Sequence, residues 1–253
     1  MPYKVNRKNL NFIVVIPARY KSSRLQGKPL INLHGVPMVI RTFRQCLKVV
    51  PSKLIYIATD SKLIKKVCDK EKAQVIMTSS KCLTGTDRVT EVSKKIKAKT
   101  YINVQGDEPI FNPFDLKKLL REIRKYPNDI ITGYCEIDNE KDHKDPNIPK
   151  VVVSSKGTLL YASRAPIPSN KAKKFEKGWR QVCAYAFPKK ILKVFSSVKK
   201  KTPLEKIEDI EYIRFLEMGI AVRVLKMSKI SIAVDTPKDV LLVKKRIKKL
   251  KLL

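Results

Sequence analysis

Residues Val15 to Leu30 read V-I-P-A-R-Y-K-S-S-R-L-Q-G-K-P-L, and this stretch decides the fold of the chain. It continues an apolar run, Phe12 to Ile16, that is typical of a buried β-strand. The loop after this strand contains cationic and hydroxyl side chains: Arg19, Lys21, Ser22, Ser23, Arg24 and Lys28. A strand followed by a cationic loop with a glycine, here Gly27, is how many α/β proteins bind polyphosphates. On charge alone, a solvated surface turn explains the loop equally well.

Length and composition predict a globular protein. At 253 residues, of which 43% are apolar, the chain can bury a substantial core. We expect a flexible basic tail over residues 1–10 and a single domain over residues 11–253. No apolar run is long enough to span a membrane, and the N-terminus has no apolar signal-peptide segment. The five cysteines are scattered without C-x-x-C spacing, which argues against disulfides or zinc and favours a cytoplasmic protein.

The formal net charge of +32 raises a second hypothesis, a basic nucleic-acid-binding protein. The lysines, however, are spread over nearly every predicted helix, and no recognised nucleic-acid-binding motif occurs. Pairs such as Lys65–Lys66 and Lys244–Lys245 are typical of solvated helix faces. We therefore expect neither nucleic acid nor a membrane as a partner, although the charge should attract anionic substrates.

Strands and helices alternate through the first half of the chain. The predicted strands are Phe12–Ile16, Leu54–Ala58, Gln74–Met77 and Tyr101–Val104, and the predicted helices are Pro37–Val49, Ser61 to about Lys72, and Thr86–Lys97. This alternation predicts an α/β fold of Rossmann-like type, with a mostly parallel central sheet and helices on both faces.

After about Asn128 the strands follow one another with few regular helices between them. The predicted strands are Ile130–Ile137, Lys150–Val153, Thr158–Ser163, Val182–Phe187, Val222–Lys226 and Ile230–Val234. We expect them to complete the sheet and to form a smaller mixed β lobe for substrate binding or dimerisation. A capping box at Thr202 to Glu205 predicts a helix as far as about Glu217, and Thr236-Pro237 predicts the start of a basic C-terminal helix.

Two carboxylates follow predicted strands. Asp107 lies in N-V-Q-G-D-E-P, and Asp235 lies in V-D-T-P. The carboxyl ends of parallel strands border the crevice in which α/β sheets bind ligands. Two carboxylates beside a polyphosphate are suited to hold Mg²⁺ there. Taken separately, each motif is also explained by ordinary turn or helix-start chemistry.

Motifs along nearly the whole chain carry a resemblance to a known family. They are R-Y-K-S-S-R-L-Q-G-K-P-L from Arg19, A-T-D from Ala58, T-G-T-D-R from Thr84, N-V-Q-G-D-E-P from Asn103, D-P-N-I-P-K-V-V from Asp145, S-R-A-P-I-P from Ser163, P-L-E-K-I-E-D-I-E from Pro203 and V-D-T-P from Val234. In this order they resemble the 3-deoxy-manno-octulosonate (Kdo) cytidylyltransferases. The resemblance implies the fold of nucleotide-diphospho-sugar transferases and a cytoplasmic, Mg²⁺-dependent homodimer. The implied reaction joins CTP and Kdo to give CMP-Kdo and pyrophosphate, for lipopolysaccharide or capsule synthesis.

The resemblance also implies a role for each matching position. The catalytic residues would be Arg19, Arg24, Lys28, Asp107 and Asp235, of which Asp107 and Asp235 would hold Mg²⁺. The nucleotide would be bound by Pro17, Ala18, Arg19, Ser22, Ser23, Arg24, Lys28, Thr84, Thr86, Arg88 and Gln105. The sugar acid would be bound by Gln105, Arg164, Gln181, Tyr185, Glu211 and Tyr212.

The chain departs from the family pattern at several positions. Gln181 stands where the family usually has histidine, and Tyr212 stands where it usually has glutamine. Gln26 replaces the proline of L-P-G-K, and Ser231-Ile232-Ala233 replaces G-T-G. The nucleotide and metal positions are retained, whereas the sugar-acid pocket is altered. The acid therefore stays open between Kdo and a relative such as an amino-Kdo or a nonulosonate.

Overall fold

The computed structural model describes residues 10–21 and 25–252, in which eleven strands and nine α-helices occur. The strands are β1 (Leu10–Ala18), β2 (Asn32–Leu33), β3 (Val36–Pro37), β4 (Ile55–Thr59), β5 (Gln74–Met77), β6 (Ala98–Val104), β7 (Ile130–Ile137), β8 (Lys150–Val153), β9 (Leu159–Ser163), β10 (Gly178–Pro188) and β11 (Val222–Lys226). The helices are α1 (Met38–Leu47), α2 (Lys62–Lys70), α3 (Gly85–Lys95), α4 (Pro113–Lys125), α5 (Glu140–Lys144), α6 (Lys189–Ser197), α7 (Pro203–Glu208), α8 (Ile213–Glu217) and α9 (Pro237–Lys249).

Nine strands form one mixed sheet in the order β11-β7-β10-β6-β1-β4-β5, with β8 and β9 attached beside β10. The strands β6, β1, β4 and β5 are parallel neighbours. Strand β10 is antiparallel to both β6 and β7, and β11 is parallel to β7. The predicted α/β fold, with a parallel core and a smaller mixed portion, is confirmed. In the described ranges no helix is long and apolar enough to cross a membrane.

The connections of the sheet reverse direction beside β1. The chain passes from β1 through α1 to β4 and β5 on one side, and α3 then returns it to β6 on the other side. A crevice for ligands opens at such a reversal, at the carboxyl ends of the two strands. Strand β1 can occupy the centre because Ile13 to Ile16 are fully buried. Successive residues point to opposite faces, so both faces of β1 are covered.

Residue Leu10, assigned above to the basic tail, is instead the first residue of β1 and is buried. The rest of the predicted tail, residues 1–9, lies outside the described residues. The helices α4 and α6 occupy stretches for which the sequence pattern above predicts no element.

Two short helices, α7 and α8, replace the single helix predicted from Thr202 to about Glu217. The capping box is present, since the Thr202 amide donates to Glu205 Oε2 at 3.1 Å. The helix ends because Asp209 adopts a left-handed φ of 49°. Arg164 fixes this break by donating to the carbonyls of Glu208 and Asp209 at 2.6 and 3.1 Å. The chain thereby turns before it reaches Glu211.

The segment 230–234 is not a strand, which contradicts the prediction. Its polar groups bind side chains and the loop after β6 rather than a neighbouring strand. The Ser231 carbonyl accepts from Arg180 at 2.9 Å, and the Ser231 hydroxyl donates to Glu108. The Val234 amide donates to the Asp107 carbonyl at 3.0 Å, which carries the chain past the loop after β6. The predicted start of α9 is confirmed, with Thr236 as its cap.

Candidate active site

A cleft of about 530 Å³ opens at the carboxyl ends of β1 and β6. The predicted site residues that line it are Pro17, Ala18, Arg19, Lys28, Thr84, Arg88, Gln105, Asp107, Arg164, Gln181, Tyr185, Glu211 and Asp235. A larger cavity of about 1130 Å³ elsewhere in the molecule has none of these residues in its lining. The fold thus brings most of the predicted residues into one cleft at the reversal of the sheet.

Some predicted residues do not line this cleft. Thr86 is fully buried, and its amide donates to Glu211 Oε2 at 2.9 Å. Tyr212 is 1% exposed and lies behind Tyr185, with the two ring centroids 6.1 Å apart. These two side chains can therefore affect a bound molecule only through their neighbours. The predicted residues Ser22, Ser23 and Arg24 lie outside the described residues.

Lys28 and two carboxylates form the charged centre of the cleft. Lys28 Nζ lies 2.6 Å from Asp107 Oδ2 and 3.1 Å from Asp235 Oδ1. Burial lowers the pKa of Lys28, but the two carboxylates raise it by more, so the pKa lies above its usual value. The cation-rich loop of β1 therefore meets both predicted metal ligands, although Asp235 follows an irregular segment and not a strand.

The same centre has the chemistry of a magnesium site. One oxygen of each carboxylate accepts a hydrogen bond from the Lys28 ammonium, so the two carboxylates face the same cation. Mg²⁺ in proteins is commonly held by one or two carboxylates, with water and phosphate oxygens completing its shell. The described ranges contain no cluster of three or more His, Cys, Asp or Glu side chains suited to a metal. Asp107 and Asp235 are the two carboxylates of this centre that could hold a cation together with a phosphate ligand.

Glycines allow the backbone at this end of the sheet to pack closely. A Cβ on Gly106 would lie 2.7 Å from the carbonyl oxygen of Pro17, at the end of β1. A Cβ on Gly85 would lie 2.8 Å from the side-chain amide of Gln105. Real Cβ atoms do not approach other atoms so closely, so these glycines let the loop after β6 pack against the end of β1 and the start of α3.

Gln105 and Glu211 form a hydrogen-bonded pair on the wall of the cleft. Gln105 Nε2 donates to Glu211 Oε1 at 3.0 Å, and the Thr86 amide donates to the other oxygen. Burial raises the pKa of Glu211, while the bond from Thr86 opposes that rise. The pair therefore fixes a carboxylate beside the charged centre.

Strand β10, which pairs with β6, supplies the adjoining wall. Gln181 donates to the Tyr185 hydroxyl, and both side chains are buried. The pairing of β10 with β7 shifts register between Val182 and Tyr185. Cys183 lies at this irregularity, and burial raises the pKa of its thiol well above the usual value. A neutral amide, a phenol and a protonated thiol thus face the cleft here.

Two of the predicted arginines, Arg88 and Arg164, are held by protein groups. Arg88 is 2% exposed and donates to Thr78 Oγ1 at 2.5 Å and to Asp60 Oδ2 at 3.3 Å. Arg164 donates to the carbonyl of Pro146 at 2.8 Å, in addition to the bonds that fix the end of α7. Each guanidinium is therefore fixed in orientation before any ligand binds.

The residues that line the cleft without an assigned role include four with polar or ionisable side chains: Asn147, Cys183, Lys201 and Asp209. Cys183 shares a strand with Gln181 and Tyr185, so the two-residue alternation of β10 is a signal that points to it. Asn147 lies inside the quoted motif that begins at Asp145. Lys201 and Asp209 form an ion pair across α7, and nothing in the local sequence indicates that they face the cleft.

Comparison with known proteins agrees with this geometry. The chain matches the cytidylyltransferase family over residues 13–230. It is 34% identical over 225 residues to the 3-deoxy-manno-octulosonate cytidylyltransferase of Escherichia coli, covering 89% of this chain and 91% of that protein. It is 36% identical over 231 residues to the mitochondrial 3-deoxy-manno-octulosonate cytidylyltransferase of Arabidopsis thaliana, covering 89% of this chain and 79% of that protein.

A solved structure shows the same fold with a nucleotide bound. CMP:2-keto-3-deoxy-manno-octonic acid synthetase, complexed with CTP, has a TM-score of 0.85 and 33% identity, covering 96% of this chain and 99% of that chain. The fold, the cleft and these matches define a nucleotidyltransferase, and the chain belongs to the cytidylyltransferase family. The two relatives and the solved structure described above all have names that refer to the activation of Kdo.

Proposed function

We propose that this chain transfers the cytidylyl group of CTP to the anomeric hydroxyl of Kdo and releases pyrophosphate. The product would supply an activated sugar acid for lipopolysaccharide or capsule synthesis. The observation that carries this proposal is the meeting of Lys28, Asp107 and Asp235 in one cleft. The proposal is also supported by the two relatives at 34% and 36% identity, which are both named 3-deoxy-manno-octulosonate cytidylyltransferase.

The reaction is an in-line displacement at phosphorus. The anomeric oxygen of the sugar acid forms a bond to the α-phosphorus of CTP, and the bond to the oxygen bridging the α- and β-phosphates breaks. The proton of the anomeric hydroxyl is lost to solvent, and the electron pair of the broken bond leaves with pyrophosphate. The protein has to position two anions against each other and neutralise the charge that develops on the leaving group.

Cations of the loop after β1 are suited to the triphosphate. Lys28 keeps its positive charge because its pKa is raised by the nearby carboxylates. Arg19 is exposed at the mouth of the same cleft. Ser22, Ser23 and Arg24 belong to this loop in sequence, and we propose that they complete the triphosphate site. The positive charges of Arg19, Arg24 and Lys28 would stabilise pyrophosphate as it leaves.

Asp107 and Asp235 are the residues that would hold Mg²⁺. When bound, the metal ion would supply charge neutralisation on the phosphates and a lower pKa for the attacking hydroxyl. Both histidines are bonded elsewhere, His34 to the Lys244 carbonyl at 2.9 Å and His143 to the Ile167 carbonyl at 3.2 Å. We therefore propose no histidine base.

The end of β1 and the start of α3 are suited to the cytosine base. Pro17 and Ala18 offer backbone groups, and Thr84 and Arg88 face the same part of the cleft. Asp60 and Thr78 hold the Arg88 guanidinium, so this side of the pocket would be fixed before the base binds. A rigid pocket that reads a pyrimidine edge would discriminate against the larger purines.

The sugar acid would bind between Gln105, Glu211 and the wall formed by β10. Arg164, Gln181 and Tyr185 line this side of the cleft. Tyr212 would act through Tyr185, because its own side chain does not reach the cleft surface. Because Gln181 offers a neutral amide, the alternative substrate is an acid that differs from Kdo, such as an amino-Kdo or a nonulosonate.

We further propose that the protein is a cytoplasmic homodimer. Apolar side chains are exposed on β9 and α7, namely Leu160 at 59%, Leu204 at 40% and Ile207 at 76%. These elements are neighbours, because Ser163 and Tyr161 both donate to Glu208. An exposed apolar surface of this kind is suited to a second copy. All five cysteines are free thiols, which supports a reducing compartment.

A pyrophosphate-release assay tests the function directly. Kdo is offered with CTP, UTP, ATP or GTP, and CTP is then offered with Kdo, an amino-Kdo and a nonulosonate. We expect the highest kcat/KM with CTP and Kdo, weak use of UTP and little use of purine nucleotides. Equal use of ATP and CTP would contradict cytidylyl transfer. A strong preference for another acid would keep the reaction and correct the substrate.

A further inference from the structure

We infer that Glu108 is a positioning residue, whose buried carboxylate holds the segment that carries Asp235 and the wall formed by β10 against the loop that carries Asp107. The inference rests on the proposed function, because it concerns the two carboxylates that would hold Mg²⁺. Glu108 is adjacent to Asp107 but is only 3% exposed, and it is not among the residues that line the cleft. It can therefore act on a substrate or metal only through its neighbours.

The Glu108 carboxylate joins three separate parts of the chain. Its Oε1 atom accepts a hydrogen bond from the Cys183 amide at 3.1 Å. Its Oε2 atom accepts a hydrogen bond from the Ser231 hydroxyl. One side chain on the loop after β6 thus contacts both β10 and the irregular segment before α9.

The contact with Cys183 stabilises the irregularity of β10. The register shift at this point takes the Cys183 backbone out of the regular ladder with β7. Its carbonyl accepts from the Gln105 amide at 3.4 Å, and its amide finds the Glu108 carboxylate. A buried amide needs a hydrogen-bond acceptor, and the Glu108 carboxylate supplies one. It thereby allows the register shift of β10 that lies between Gln181 and Tyr185.

The contact with Ser231 holds the middle of the segment that leads to Asp235. At the start of this segment, the Ser228 hydroxyl donates to Asp115 at 2.6 Å. At its end, the Val234 amide donates to the Asp107 carbonyl at 3.0 Å. Ser231 lies between these points and is 1% exposed. Two of the three contacts therefore reach residues 107 and 108, which ties the position of Asp235 to that of Asp107.

A purely structural role explains Glu108 less well. Its hydrogen-bonding partners in the described part of the chain are a neutral amide and a neutral hydroxyl. The Arg180 guanidinium acts on this carboxyl group only through space, so its burial is costly, and a neutral residue would connect the same segments at lower cost. Residues behind metal ligands typically change metal affinity tenfold or more when they are replaced.

The test compares metal binding in four variants of the whole protein. Glu108→Ala removes both contacts, Ser231→Ala removes one of them, and Glu108→Gln preserves the length and one acceptor. Leu192→Ala is the matched control, because it removes buried apolar volume on α6 without contacting the cleft. Mn²⁺ is titrated into each protein with CTP and no sugar acid, and binding is followed by water-proton relaxation. Melting temperatures and kcat with Mg²⁺ are measured in parallel.

We expect Glu108→Ala and Ser231→Ala to raise the Mn²⁺ dissociation constant roughly tenfold or more. Glu108→Gln should recover part of that loss, and Leu192→Ala should melt earlier with unchanged metal affinity. If Glu108→Ala does not fold, Ser231→Ala alone carries the test. Wild-type metal affinity in both Glu108→Ala and Ser231→Ala would overturn the inference. Failure of the wild-type protein to make any CMP–sugar acid would instead contradict the proposed function.

Discussion

Lys28 places one ammonium 2.6 Å from Asp107 and 3.1 Å from Asp235, so a single cation balances two carboxylates that would otherwise repel each other. The side chains are 14%, 26% and 24% exposed, and solvent screens them only in part. A lysine in this position has two effects. It neutralises the carboxylates when no other cation is bound, and it supplies positive charge to a phosphate ligand.

Lys28→Ala separates these two effects. We expect kcat to fall by about 100-fold or more, because one preorganised charge is lost from the leaving-group site. The two remaining carboxylates have no ammonium between them, so Mg²⁺ should raise the melting temperature of Lys28→Ala more than that of the wild type. Differential scanning fluorimetry with and without MgCl₂ measures this shift. An equal shift in both proteins would show that the carboxylates do not share a cation. Lys65→Ala, which removes an exposed pair with Asp69, is the control.

Gln181 is the residue from which we expect control over the sugar acid. Its amide donates to Tyr185 at the cleft wall, and histidine there would offer a titratable ring instead. We expect Gln181→His to raise the ratio of kcat/KM for Kdo to that for a relative altered at the far end of the carbon chain. Tyr212→Phe is the matched control, because the Tyr212 hydroxyl is buried and no described residue bonds to it. If both variants keep the wild-type ratio, the altered positions do not select the acid.

At the scale of elements, the sequence predicted most of the sheet for a physical reason. Strands β1, β4, β5 and β6 are apolar runs that end in turn residues, and this pattern depends only on local sequence. Helix α4 has a comparable local signal in its Asn112 cap and Pro113, and this signal predicts the start of a helix. Such elements can be predicted from the sequence because their own side chains determine which residues are buried.

Elements whose shape depends on distant side chains were not predictable. The helix that ends at Asp209 is broken by Arg164, which lies forty-five positions away. The segment 230–234 looks like a strand but bonds to Glu108 and Arg180. The same distinction holds for the cleft, where motif residues were foreseen and Lys201 and Asp209 were not. Long-range contacts of this kind leave no periodic pattern in the sequence.

Gly106 tests how closely the loop after β6 must approach β1. In Gly106→Ala the added Cβ would lie 2.7 Å from the Pro17 carbonyl, so the loop carrying Asp107 has to move. We expect kcat/KM for CTP to fall by about tenfold or more, since a small displacement of a site residue is enough. Gly157→Ala is the control, because its φ of 75° makes alanine strained although an added Cβ there would meet nothing within 4 Å. Steady-state kinetics of both variants, with melting temperatures, would show a loss of activity confined to Gly106→Ala. Parallel losses in both would favour a general effect on folding.

Glu211, on the link between α7 and α8, predicts a pH dependence of stability. Burial raises its pKa above the value of about 4.3 for free glutamate. A raised pKa stabilises the folded state below the unfolded pKa, and this contribution is lost as the pH rises through the folded pKa. The melting temperature of Glu211→Gln minus that of the wild type should therefore become more positive from about pH 5 to about pH 8. In Asp209→Asn, the control, the difference should stay constant over this range, because the bond from Lys201 lowers the pKa of Asp209. A flat difference for Glu211→Gln would contradict the assignment.

At the scale of the whole molecule, the reversal of the sheet explains why residues so distant in sequence meet. Ala18 ends β1, Asp107 follows β6, and Asp235 precedes α9. The first two are placed by neighbouring parallel strands, and the third by its hydrogen-bonded segment. The net charge of +32 attracts anions to the molecule, which suits two anionic substrates. Site, fold and charge are thus consistent with one reaction, the transfer of a nucleotide to a sugar acid.

The most direct test of this account is the activity of Asp107→Asn and Asp235→Asn. Each change removes one carboxylate charge and keeps the size of the side chain, so the fold should stay intact. With CTP, Kdo and Mg²⁺, we expect kcat to fall by about 100-fold or more in each variant, with melting temperatures close to that of the wild type. Asp129→Asn, which disturbs an ion pair with Arg223 far from the cleft, should keep full activity. Near-normal turnover in both Asp107→Asn and Asp235→Asn would contradict the claim that this pair of carboxylates is the centre of the site.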